Sequence, residues 1–153
     1  MLDIIDKMTY NIVRTKERSV IVLTNIELMT HWIESAENDY KTMKNLYKTN
    51  DYNWSLFIGH LVIEKFLKGL YAKLNVENPN APKIHNLLLL AERCNLELTQ
   101  ETSEELSLIT QFNMNARYDD VKMKFYKKAT KEYADIHIKK IEELITWLKA
   151  KLI

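Results

Sequence analysis

Glycine and proline are nearly missing from this sequence: each occurs twice in 153 residues. Average usage puts about 18 of the two together in a chain this long. Tight hairpin turns lean on these residues, so their scarcity argues against a β-sandwich or barrel. It also leaves no Gly-rich phosphate loop and no dinucleotide-binding fingerprint. Cysteine is scarcer still. Cys94 stands alone, which rules out an intrachain disulfide and a cysteine-based zinc site and makes a reducing cytoplasm the expected home. The longest apolar run, Leu87 to Ala91, falls far short of the ~20 residues of a membrane span, so no membrane partner is expected. Asp3, Asp6 and Lys7 interrupt the N-terminus before an apolar core of signal-peptide length can form. No Gly-x-Ser-x-Gly nucleophile elbow occurs.

Charge of one sign is also lacking. Twenty-two Lys and Arg against 21 Asp and Glu leave +1, so the chain is not globally a polyanion or membrane-surface binder. Locally the balance tips. Glu92 to Glu105 holds five Glu and one Arg, whereas Arg117 to Glu132 holds six basic and three acidic residues.

What is present is helical periodicity. Trp32, Ile33, Ala36, Tyr40, Met43 and Tyr47 recur at three- and four-residue steps from His31 to about Lys48, with Thr30 placed as N-cap. Asp51 to Leu74 carries the longest stripe, from Trp54 and Phe57 to Leu70 and Leu74, and contains both glycines. Gly59 and Gly69 are read there as points of close helix contact, since Gly inside a helix costs roughly 1 kcal/mol against Ala. Asn75 to Lys83, with both prolines, is a loop. A short helix follows from His85 to Arg93. Thr102-Ser-Glu-Glu105 reads as a capping box opening a helix to about Arg117. A last helix runs from about Thr130 to Lys151, with Tyr133, Ile136, Ile141, Leu144, Ile145, Leu148 and Leu152 on one side. Five helices without a dividing linker predict one all-α domain over residues 30–153, an antiparallel up-and-down bundle. Residues 1–29 form an N-terminal extension. In it Leu2, Ile4, Ile5 and Met8 suit a helical turn, while Ser19 to Leu23 suits a strand equally well.

Three groups of residues carry candidate chemistry. His60, Glu64 and Lys68 stack four apart on the second helix, with Lys65 beside them. They form either a solvated face or a polar site in an interhelical groove; with no second pair of ligands nearby, no metal is expected. His85, at a helix start after the Pro-containing loop, serves either as a packing residue or as an imidazole biased toward neutrality by the positive helix end. Arg117-Tyr118 leads into Lys122, Lys124, Phe125, Tyr126, Lys127, Lys128 and Lys131. Basic residues interleaved with aromatics suit phosphate contact and base stacking, and a guanidinium holds phosphate bidentately. The alternative is ordinary solvated surface. His31 and His137 read as ordinary helix residues, and Cys94 as buried.

The order of these pieces resembles a HEPN (higher eukaryotes and prokaryotes nucleotide-binding) domain. Trp32-x-x-x-Ala36-x-x-Asp39 is similar to that family's first-helix signature. Phe57-x-x-His60 leading to Glu64-Lys65-x-x-Lys68 is similar to its second-helix core. Lys83-x-His85-Asn86-Leu87 resembles its Thr-His-Asp-Leu element, and Arg117-Tyr118-Asp119 its Arg-Tyr-Pro. The resemblance spans about Thr30 to Leu152. It implies a helical bundle, a homodimer, and a minimal nucleotidyltransferase partner in a toxin–antitoxin-type pair. It also implies nucleotide or RNA binding through Arg117, Tyr118, Glu64, Lys65, Lys68, His85 and Asp39, without a cofactor.

One departure bears on catalysis. The family's ribonucleases carry an Arg and a His separated by four to six residues, because metal-free RNA cleavage needs a proton carrier beside a phosphate-stabilising cation. Here the places so spaced after Arg117 are Lys122, Met123 and Lys124. A non-catalytic binding module is therefore the leading expectation. The alternatives are a metal-independent endoribonuclease using Arg117 with His85 or His60, and a purely structural dimerisation or partner-binding module.

Overall fold

The structure, a computed structural model, describes residues 11–15 and 18–153. The suggested turn around Leu2 to Met8 lies outside the described residues. The strand alternative holds for the next segment: β1 (Asn11–Thr15) and β2 (Arg18–Val22) pair antiparallel, with Asn11 opposite Val22 and Thr15 opposite Arg18.

Six helices follow among the described residues: α1 (Asn25–Lys48), α2 (Tyr52–Leu74), α3 (Leu87–Arg93), α4 (Gln100–Asn115), α5 (Asp119–Lys128) and α6 (Lys131–Leu152). From Asn25 to Leu152 the chain is an all-α bundle, as its periodicity predicts, but with one helix more. The addition is α5, read from sequence only as a basic–aromatic stretch. Its single buried apolar residue, Phe125, stacks on Phe112 of α4 at 5.5 Å between ring centroids, which is too little to print an amphipathic stripe.

Two expected caps are displaced by stronger ones upstream. Thr24, not Thr30, begins α1: its hydroxyl accepts from the Glu27 amide at 3.2 Å, and Glu27 accepts from the Thr24 amide at 2.7 Å. That reciprocal pair satisfies two of the orphan donors at a helix start. Thr99, not Thr102, caps α4, accepting from the Thr102 amide at 3.1 Å. Glu105, freed from capping, is buried elsewhere. His85 stands outside α3, whose cap is Asn86, accepting from the Leu89 amide.

All five other helices touch α2. Gly59 allows the closest approach: a Cβ there would lie 2.6 Å from Ile141 Cδ1 of α6 and 3.2 Å from Met43 Sδ of α1. At Gly69 a Cβ would meet Trp32 Cβ at 3.4 Å and the Met29 carbonyl at 3.6 Å. Gly59 is thus a point of close helix contact, as read from the sequence, whereas Gly69 leaves ordinary van der Waals room for a Cβ. Phe66, Ile63, Leu67, Leu106 and Leu148 fill the core around α2. On α6 the buried line runs through Ala134, Ile138, Ile141, Ile145 and Leu148, and Ile136, expected among them, is exposed. Long polar side chains bridge α1 and α6: Tyr40 and Lys44 both donate to Glu142 Oε1, at 2.9 and 2.6 Å. No helix among the described residues is long and apolar enough to cross a membrane.

Candidate functional site

The polar row of α2 is not a solvated face. His60 is 0% exposed, Glu64 5% and Lys68 8%. Buried charges persist only when paired, and these are. Lys68 Nζ donates to Glu64 Oε1 at 2.7 Å and lies 5.3 Å from the centre of the Trp32 ring on α1. His85 Nδ1 lies 3.0 and 3.2 Å from the two Glu64 oxygens. A carboxylate only accepts, so the proton sits on Nδ1. Burial pushes the Glu64 carboxyl toward a higher pKa, but the bonds from Lys68 and His85 outweigh it and hold it below the usual range.

His60 sits one helical turn before Glu64. Its Nε2 donates to the His85 carbonyl at 2.9 Å, which fixes the tautomer and leaves Nδ1 bare. That nitrogen is buried without a hydrogen-bond partner among the described residues. Burial holds the His60 pKa down; the His85 carbonyl and Glu64 oppose this, while the charges of His85 and Arg117 add to it. The ring is therefore neutral at pH 7.

Arg117 is exposed just beyond α4. Its Nε donates to the Asn113 carbonyl at 2.9 Å, and the guanidinium lies 5.7 Å from the Phe57 ring centre, one turn along α2 from His60. Tyr118 is exposed beside it, its ring centre 6.0 Å from the guanidinium. The structure thus gathers His60, Glu64, Lys68 and His85 into one network with Arg117 at its edge. Lys65 and Asp39 stand apart from it as an α2–α1 ion pair of 2.5 Å. Of the α5 lysines, Lys122 lies over Trp54 and Lys128 over Tyr133, each 5.3 Å from the ring centre.

A second network escaped the sequence reading. Glu105 accepts from Lys140 at 2.9 Å and lies 3.3 Å from His137 Nδ1, and both Glu105 and His137 are buried. His137 is therefore no ordinary helix residue. Its three-residue spacing from Lys140 was the available signal, and Glu105 was masked by its resemblance to a capping residue. A hollow of about 280 Å³ opens over this network between Glu101, Glu143 and Trp147. Among the described residues no three His, Cys, Asp or Glu gather as metal ligands.

An all-α bundle with a buried Glu–Lys–His row on its central helix defines the class structurally. The chain belongs to the HEPN family: the profile described as HEPN domain matches residues 29–151. Two solved structures share the fold. TT1696 from Thermus thermophilus superposes with a TM-score of 0.68 at 18% identity, covering 81% of this chain and 98% of its own. ST0689, described as an archaeal HEPN homologue, gives 0.58 at 20% identity, covering 82% and 98%. No curated protein matches the chain significantly.

Proposed function

We propose that this chain is a non-catalytic HEPN module that binds nucleotide or RNA phosphate at the Glu64–Lys68–His85 network and Arg117. The carrying observation is the exposed guanidinium beside a paired charge network whose Glu64 and Lys68 are buried. Nε of Arg117 is held by the Asn113 carbonyl and, among the described residues, no hydrogen bond engages its Nη groups, an arrangement suited to a bidentate anion contact. Tyr118 and Tyr126 are exposed next to lysines of α5, which supports stacking of unpaired bases over the same edge. We place the module in a toxin–antitoxin-type pair with a minimal nucleotidyltransferase, acting as a homodimer. Exposed Met114, Met123 and Val121 support an apolar contact with a second copy or that partner.

Calorimetric titration with ATP, GTP and short RNAs tests the reading. Binding at millimolar affinity or better is expected, weakened by Arg117→Ala and by added salt. Flat titrations with every ligand refute it.

The His85–Glu64 bond favours a second reading. A His whose Nδ1–H is held by a carboxylate is oriented as a general base. In a metal-independent endoribonuclease His85 would take the 2′-hydroxyl proton as that oxygen attacks phosphorus. The bond from phosphorus to the 5′-oxygen then breaks, that oxygen taking its proton from water, to give a 2′,3′-cyclic phosphate, while Arg117 stabilises the charged phosphorane. Intact RNA after long incubation in EDTA excludes this reading and leaves the binding module standing.

A further inference from the structure

We infer that His85 is a proton-gated phosphate ligand, positioned by Glu64, so that anion binding at this site tightens as pH falls. The inference rests on the phosphate-binding reading above and adds its regulation.

Geometry carries it. Glu64 engages Nδ1, so the ring nitrogen without a hydrogen bond among the described residues is Nε2, on a side chain 60% exposed. Nε2 is a bare acceptor in the neutral ring and repels phosphate oxygens; once protonated it becomes a donor with a positive charge. A lone carboxylate beside an imidazolium would neutralise that charge. Here Lys68 already neutralises Glu64, so the proton on His85 counts toward an incoming anion. Unprotonated, Glu64 and Lys68 sum to zero; protonated, the trio carries +1 beside Arg117.

The neighbouring groups leave His85 as the gate. Lysine and arginine side chains ordinarily titrate far above histidine. His60, whose Nε2 is spent on the His85 carbonyl, is buried and held neutral. On α1, Asp39 is occupied by Lys65. His31 flanks the Trp32 ring and is the one other exposed histidine nearby, so it needs a control.

The test is fluorescence anisotropy with a labelled oligouridylate, whose phosphodiesters and bases hold their charge between about pH 5.5 and 8.5, the window spanning histidine titration. At constant ionic strength the wild type is expected to bind about tenfold tighter at the acid end, the worth of one charge-assisted hydrogen bond. His85→Asn, a change at an exposed position, should lose the acid tightening, its affinity flat across the range. His31→Asn should keep the wild-type slope. A flat wild-type profile, or an undiminished slope in His85→Asn, overturns the inference while the binding reading stands. No binding at any pH overturns the reading itself and this inference with it.

Discussion

Lys68→Met removes the ammonium that neutralises Glu64 while keeping most of the side chain's length. On a solvated helix, a Glu–Lys pair four residues apart is worth only about 0.3–0.5 kcal/mol. Here the partners are buried and 2.7 Å apart, and removing one member of a buried pair costs about 3–5 kcal/mol. His85 still donates to Glu64, which sets the expectation at the low end, about 3 kcal/mol. For a domain of this size that is a fall in Tm of roughly 6–12 °C. Urea unfolding followed by circular dichroism at 222 nm measures it. The double variant Glu64→Leu/Lys68→Met should recover most of the loss, because a well-packed apolar pair replaces two buried charges at little net cost. Titration adds a sign. The folded Glu64 carboxyl lies below its ordinary value. Its stabilisation is thus complete above the unfolded pKa near ~4.3 and lost as pH falls through the lower folded value. The gap between wild type and Glu64→Gln should therefore close in acid. A loss below about 1 kcal/mol for Lys68→Met would mean that water screens the pair, and the argument from burial would fail.

The two glycines should respond in opposite directions to alanine. Gly69→Ala gains up to about 1 kcal/mol of helix propensity with only ordinary contacts around the new Cβ. Gly59→Ala drives its Cβ into Ile141 and Met43, and overpacking of about 1–3 kcal/mol should outweigh the same gain; equal stabilisation of both variants in urea titrations would contradict the packing. Cys94 is buried and its thiol is pushed up to about 12 by desolvation. A thiol reagent at neutral pH should leave the native protein unmodified and label it quickly once it is unfolded.

Helix α2 was the most legible element because its stripe is long and uninterrupted, and its boundaries agree with expectation to a single residue. The burial of its polar row was not legible. Spacing puts His60, Glu64 and Lys68 on one face, but whether that face meets water depends on α1 and on the segment holding His85, which approach it from distant parts of the chain. Helix starts went wrong where two hydroxyl residues competed. Thr24 and Thr99 win because each fits the first turn, and apolar periodicity, which begins later, points to the wrong threonine. The family motifs located His85 and Arg117, though neither residue lies on α2. Asp39 and Lys65 were also singled out, but they pair with each other across α1 and α2 rather than joining the network.

Because every other helix leans on α2, its side chains are committed to packing, and changing one disturbs several neighbours at once. His85 and Arg117 carry no such burden, standing exposed on segments outside the core. Substitutions at exposed positions usually shift stability by less than about 0.5 kcal/mol. On the proposed binding reading, selection can therefore retune recognition by exchanging the two outer residues, while the charges beneath them stay as inherited.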